Sequence, residues 1–153
     1  MAEASGFFVD GGAAFASDRE DWETPRDLFD RLDAFWHFDL DAAANDQNHL
    51  CTEYFTKDTD GLAHSWSGRR VWLNPPYGRR MAEWMRKAYE ETRDGRTLVV
   101  ALVPARTDTR WFHDYIEGHA AEIRFIKGRL KYTLGGGRPE FCALPLDAGE
   151  MGR

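Results

Sequence analysis

Only two cysteines, Cys51 and Cys142, occur in the 153 residues, and they form neither a CxxC pair nor a disulfide framework. They read as reduced thiols, which points to the cytoplasm. No apolar run approaches the roughly 20 residues needed to cross a bilayer. The N-terminus has no basic segment leading into a continuous apolar stretch, so neither a membrane span nor a signal peptide is expected. The five histidines, His37, His49, His64, His113 and His119, show no HxH or HExxH spacing and no neighbouring cysteine pair, so no metal site is expected. No repeat, low-complexity tract or linker divides the chain.

What is present suits one packed domain. Hydrophobic residues make up 42% and aromatics 14%, too much apolar surface for a disordered chain. The net charge of −6 is unevenly placed: residues 1–60 carry −11 and residues 61–153 carry +5. Within "IRFIKGRLKYTLGGGR", residues 123–138, five basic residues (Arg124, Lys127, Arg129, Lys131, Arg138) stand without an acid. Such a stretch fits a nucleic-acid-facing side on an acidic protein. It equally fits an edge strand guarded by cations.

Residues 1–20 are Gly/Ala-rich without a period and are expected to form a poorly ordered arm, leaving 21–148 as a single domain. "TPRDLFDRLDAFW" reads as a helix capped by Thr24, with Pro25 in its first position and Asp27 in its first turn. Leu28, Phe29, Leu32, Phe35 and Trp36 form its apolar stripe. A short strand in "FDLDAAAND" follows, then an aperiodic segment over 46–70, then the strand "RRVWLN". Met81, Trp84, Met85, Ala88 and Tyr89 mark a second helix that Gly95 ends. "TLVVALVPA" has the pattern of a strand buried on both faces, "DTRWFHDYIEG" that of a short helix, and "AEIRFIKGR" and "PEFCALPL" those of two last strands. Asp108 is placed to cap the short helix. Strands alternating with helices imply an α/β domain with a mostly parallel sheet, and the last two strands are expected to pair as an antiparallel hairpin at its edge.

In open α/β sheets, ligands bind beyond the carboxyl ends of the strands. Two polar clusters fall there: Asp39 to Ala43, and Asn74-Pro75-Pro76-Tyr77. The second has a chemistry of its own. Asn74 offers an amide oxygen, and the Pro75 carbonyl is a second acceptor stiffened by the rings of Pro75 and Pro76. Two convergent acceptors suit an –NH2 group, and bonds drawn out of the ring plane localise the nitrogen lone pair. Tyr77 supplies a flat face for stacking. Such a site makes an exocyclic amine nucleophilic without a strong base. A plain turn uses the same residue types, but the full NPPY at the end of an apolar strand is far more specific than a loose Asn-Pro pair.

With "DWETPRDLFDRL", "FDLDAAA", "YFTKDTDGL" followed by a tryptophan, "VWLNPPYG", "LVPARTDTRWFHDY" and "IRFIKGRLKY" in order from about Asp21 to about Leu146, the chain resembles the phage-type DNA N6-adenine methyltransferase (Dam-like) family. The resemblance implies a Rossmann-like S-adenosyl-L-methionine-dependent methyltransferase fold, DNA as partner, and transfer of a methyl group to adenine N6 at Asn74, Pro75, Pro76 and Tyr77. It also implies cofactor contacts from Trp22, Thr24 and Pro25, from the loop Asp41-Ala42-Ala43, and from Asp60. That loop is alanine-rich where the wider class is glycine-rich. DNA contacts are expected from Arg106, which follows the buried strand, and from Lys127, Arg129, Lys131 and Arg138. A target base in a duplex would have to be flipped out to reach such a pocket. Three alternatives share the motif or the fold: cytosine N4, a protein glutamine amide, and a nucleic-acid-binding module without catalysis. No separate target-recognition domain is expected, and a phage- or prophage-encoded protein acting in a bacterial cell fits the resemblance.

Overall fold

A computed structural model of the chain describes residues 24–125, 131–132, 136–137 and 141–146, with side chains as far as Arg124. The expected N-terminal arm and Trp22 lie outside the described residues, as do Lys127, Arg129 and Arg138; of Lys131 only the backbone is described.

The strand residues alternate between two hydrophobic clusters, and that alternation builds three layers. Strand β1 (Leu40–Asp41) pairs parallel with β2 (Arg70–Leu73), and β2 pairs parallel with β3 (Leu98–Pro104), in register Leu40 to Val71 and Leu73 to Ala101. Along β3, Val99, Ala101 and Val103 enter one cluster, while Leu98, Val100 and Leu102 enter the other. Side chains on a strand point to opposite faces in turn, so a strand buried throughout must be covered on both sides. Helix α1 (Arg26–Trp36) covers one face with Leu28, Phe29 and Trp36. Helix α2 (Met81–Glu91) covers the other with Met81, Trp84, Met85 and Ala88, joined by Trp66, Phe112 and Ile116. Gly95, in the left-handed conformation at φ 75°, ends the short 3-10 turn that extends α2.

The remaining strands are short apart from β7 (Phe141–Leu146), which pairs antiparallel with β3 on one side and with β4 (Arg124–Phe125) on the other. The described order is therefore β1-β2-β3-β7-β4, with β7 inside the sheet and β4 at its margin. Strands β5 (Lys131–Tyr132) and β6 (Gly136–Gly137) form a separate antiparallel pair. Among the described residues, no helix is long and apolar enough to cross a membrane.

Three expectations need correction. Thr24 does not cap α1: the helix begins at Arg26, Pro25 takes the cap position, and no side chain caps it. The Thr24 hydroxyl is engaged elsewhere, as described below. Phe35 is 54% exposed and lies outside the buried stripe, its ring set edge-on to Trp36. The short helix after β3 is a single π-type turn, Phe112–Ile116, and the Phe112 N–H is met by Thr109 Oγ1 at 3.4 Å; Asp108 does not cap it.

Candidate active site

Asp41 and Asn74 follow from the same rule of sheet geometry. Parallel pairing of β1 and β2 brings both strands to an end on one side, so the residues that leave them share a rim. A cleft of about 440 Å³ opens there, within the range of ordinary small-molecule sites. It is lined by Thr24, Asp41, Ala42, Ala43, Asp60, Asn74 and Pro76 among the residues expected from sequence. Pro25, Pro75 and Tyr77 are not among its lining residues, and Arg106 is exposed on the loop after β3.

Asn74 is only 8% exposed, so its amide needs partners. Its Nδ2 donates to Thr24 Oγ1 at 3.0 Å, and its Oδ1 accepts from the Tyr77 hydroxyl at 3.2 Å. Trp72, fully buried in the same strand, donates its indole Nε1–H to the same Thr24 oxygen at 3.2 Å. Tyr77 is half-buried and packs against both hydrophobic clusters, which fixes its ring beside Asn74.

Asp41 is 3% exposed. Its Oδ2 accepts from the Leu50 N–H at 3.0 Å, while its backbone bonds to Glu53 and Phe55 hold the 50–55 segment alongside β1. Burial pushes its carboxyl up to about 6, against the opposing pull of the Leu50 and Ala43 backbone donors and of His49. Ala42 is fully buried, and its N–H is bound by the Trp72 carbonyl at 3.1 Å, so the alanine-rich loop is anchored on β2.

Asp60 lines the same cleft in a left-handed conformation, φ 58° and ψ 89°, which is uncommon for a residue with a side chain. Its Oδ1 accepts from the Leu62 N–H at 3.1 Å, and the Trp66 indole holds the next carbonyl, that of Gly61, at 2.9 Å. Gly61 sits so close to the loop that an added Cβ would lie 2.2 Å from the Ala42 carbonyl oxygen and 3.3 Å from the Trp84 ring. Gly61→Ala is therefore expected to cost on the order of 1–3 kcal/mol in urea unfolding by forcing the loop outward. It should also weaken whatever ligand the cleft holds; unchanged stability would mean that the two loops part freely.

Other lining residues carry no distinguishing signal in sequence. The polar run Asn45 to Asn48 has no period, yet the backbone ladder from Asp41 to Phe55 folds it over the cleft. Lys57, Asp58 and Arg80 also line it, and Arg80 is paired with Glu83 at 3.0 Å. Trp84 serves two ends, stacking on Trp66 in the core and facing the cleft. The ionisable lining thus comprises four carboxylates (Asp41, Asp46, Asp58, Asp60) against two cations (Lys57, Arg80), which favours a ligand bearing positive charge.

A family model described as DNA N-6-adenine-methyltransferase (Dam) matches residues 12–142. A DNA N-6-adenine-methyltransferase of Escherichia phage T1 is 34% identical over 120 residues, which cover 77% of this chain and 49% of that protein. Another, of Haemophilus phage HP1 (strain HP1c1), is 31% identical over 112 residues, 72% of this chain and 64% of the relative. A putative methyltransferase, YfdM, of Escherichia coli (strain K12) is 35% identical over 65 residues, 38% of this chain and 71% of the relative. The matched part of the chain spans about half the length of the phage T1 protein and under two thirds of the phage HP1 protein.

Proposed function

The chain belongs to the DNA N-6-adenine-methyltransferase (Dam) family, and from that premise we propose that it methylates the exocyclic N6 amino group of adenine in DNA, using S-adenosyl-L-methionine. The observation that carries the proposal is the placing of Asn74: a buried amide at the end of β2, lining the same cleft as Asp41 and Asp60. We read the fold as a Rossmann-like methyltransferase domain over residues 21–148, ending in an antiparallel hairpin. The parallel β1-β2-β3 core with a helix on each face and the ligand cleft at the strand ends supports that.

The cleft fits the proposed cofactor by charge. When bound, S-adenosyl-L-methionine supplies an electrophilic methyl on a positively charged sulfur, together with an ammonium group. Asp41 would hold the ammonium, since its buried carboxylate becomes anionic above about pH 6. Asp60 would take the adenine amino group through the carboxylate oxygen not used by Leu62. Thr24, Pro25, Trp22 and the Ala42-Ala43 loop would contact the remainder.

At the other end, Asn74 Oδ1 and the Pro75 carbonyl accept the two N–H bonds of the target amine, and the rings of Pro75 and Pro76 keep that pair rigid. Held in that way, the amine would keep its nitrogen lone pair free to attack, and the proton it gives up would pass to water beside Asn74. Tyr77 offers its ring to the base and its hydroxyl to Asn74. Arg106, with Lys127, Arg129, Lys131 and Arg138, would hold the phosphates on either side of a flipped base. The phage relatives support a protein that acts in a bacterial cell.

The test is methyl transfer from labelled S-adenosyl-L-methionine to unmethylated DNA, with product nucleosides separated by mass spectrometry. N6-methyladenine is the expected product. N4-methylcytosine, or label on a protein glutamine, would reassign the amine. Tight DNA retention with no methyl transfer would make the chain a binding module.

A further inference from the structure

Thr24 occupies a junction that neither a helix cap nor a cofactor contact explains. A threonine hydroxyl has one proton and two acceptor lone pairs. At Thr24 both lone pairs face donors that cannot reciprocate: the Trp72 indole Nε1–H at 3.2 Å and the Asn74 amide Nδ2–H at 3.0 Å. An indole N–H has no acceptor capacity, so its bond fixes Thr24 Oγ1 as an acceptor at that point. Trp72 is itself fully buried in β2, which makes it a rigid reference for the hydroxyl.

The consequence falls on Asn74. An amide side chain presents oxygen on one edge and nitrogen on the other, and only the oxygen edge accepts an amine's protons. Because Thr24 Oγ1 takes the nitrogen edge, Oδ1 is turned the opposite way, toward the Tyr77 hydroxyl at 3.2 Å. From this geometry we infer that Thr24 is a positioning residue for methyl transfer. It acts through Asn74, holding the amide by its nitrogen edge so that its oxygen stays available to the target amine. The inference rests on the proposed amine methylation at Asn74, and it is separable from a cofactor role because the hydroxyl proton remains for a ligand in the cleft.

Thr24→Val keeps the shape and removes the acceptor that holds the nitrogen edge of the Asn74 amide. At saturating cofactor and DNA, its turnover should fall by roughly 10- to 100-fold, the scale expected of a misplaced reacting group. The KM for DNA should stay within about threefold, because Thr24 is not among the residues proposed to hold the phosphates. Thr24→Ser restores the hydroxyl and should recover turnover to within about threefold of the parent. A residue that only supports the fold would lower thermal stability and leave turnover per folded molecule unchanged.

The decisive arm combines variants in single-turnover assays. If Thr24 acts through Asn74, adding Thr24→Val to Asn74→Ala should produce little further loss, whereas independent roles would multiply. An active parent with undiminished Thr24→Val turnover, or full multiplication of the two losses, overturns the inference alone. An inactive parent on DNA overturns the methyltransferase assignment, and this inference with it.

Discussion

Asn74→Ala should reduce methyl transfer by about a thousandfold or more while cofactor affinity changes only a few fold. The side chain is buried at the cleft wall, with its nitrogen held by Thr24 and its oxygen by Tyr77, so its truncation removes an acceptor that was already in place. Pre-placed polar groups cost no reorganisation when charge develops, which is why single deletions of this kind are so damaging. The two carboxylates proposed to hold the cofactor, Asp41 and Asp60, lie on β1 and on the turn before Leu62, so their contacts should survive the change. Tyr77→Ala should cost on the order of a hundredfold, through loss of both the stacking ring and the hydroxyl bond to Asn74. Its ring also packs against both cores, so activity must be scaled to the folded fraction. Equilibrium dialysis for the cofactor and radiolabel transfer for the reaction separate the two effects. Near-full activity of Asn74→Ala would mean that "NPPY" is only a turn here.

The parts of this site that sequence discloses are those whose signal is local. Strand β2 and its exit into Asn74-Pro75-Pro76-Tyr77 are legible because an apolar run stops abruptly at residues of fixed geometry. Helices α1 and α2 are legible from their stripes, although Phe35 shows that a stripe drawn too wide includes a residue that faces solvent. Thr24 misleads for a definite reason. A threonine before a proline has every local mark of a cap, yet its hydroxyl is claimed by Trp72 and Asn74, 48 and 50 residues away in the chain. Propensity weighs neighbours in sequence and cannot see such a bond.

The same limit applies to β7, whose place between β3 and β4 depends on pairing choices made across the whole sheet. It applies again to the run Asn45 to Asn48, whose position depends on the backbone ladder from Asp41 to Phe55. Asp60 is a middle case. "DTDGL" announces a turn, but the left-handed backbone at Asp60 arises because the Trp66 indole and the tight approach of Gly61 to Ala42 fix the next residue. Strain of that sort gathers where a loop is held for a ligand.

Asp41→Asn should make the protein more stable and a poorer binder of its cofactor, a combination that a purely structural acid would not give. Asp41 is 3% exposed, and burial raises its carboxyl from 3.8 to about 6 in the folded chain. The folded state therefore holds this proton more tightly than the unfolded state does, so ionisation works against folding. Below the unfolded value both states are protonated and the penalty vanishes; it grows between 3.8 and about 6 and is complete above that. A rise of that size corresponds to about 3 kcal/mol. The asparagine still accepts the Leu50 N–H but must bury its own –NH2, so a net gain of about 1–2 kcal/mol is expected near neutral pH. Urea unfolding at about pH 4.5 and about pH 7.5 should show that gain growing with pH.

Cofactor affinity should move in the opposite direction. Losing a charge-assisted bond to an ammonium group weakens binding by roughly 10- to 100-fold. In the parent protein, affinity should decline as pH falls through about 6, because the carboxylate is then protonated, and Asp41→Asn should flatten that part of the profile. Destabilisation by Asp41→Asn together with unchanged affinity would assign the acid to the scaffold, as the clamp that its bond to Leu50 already resembles. The expected outcome would instead identify a carboxylate kept buried at a standing cost in stability for a ligand of opposite charge.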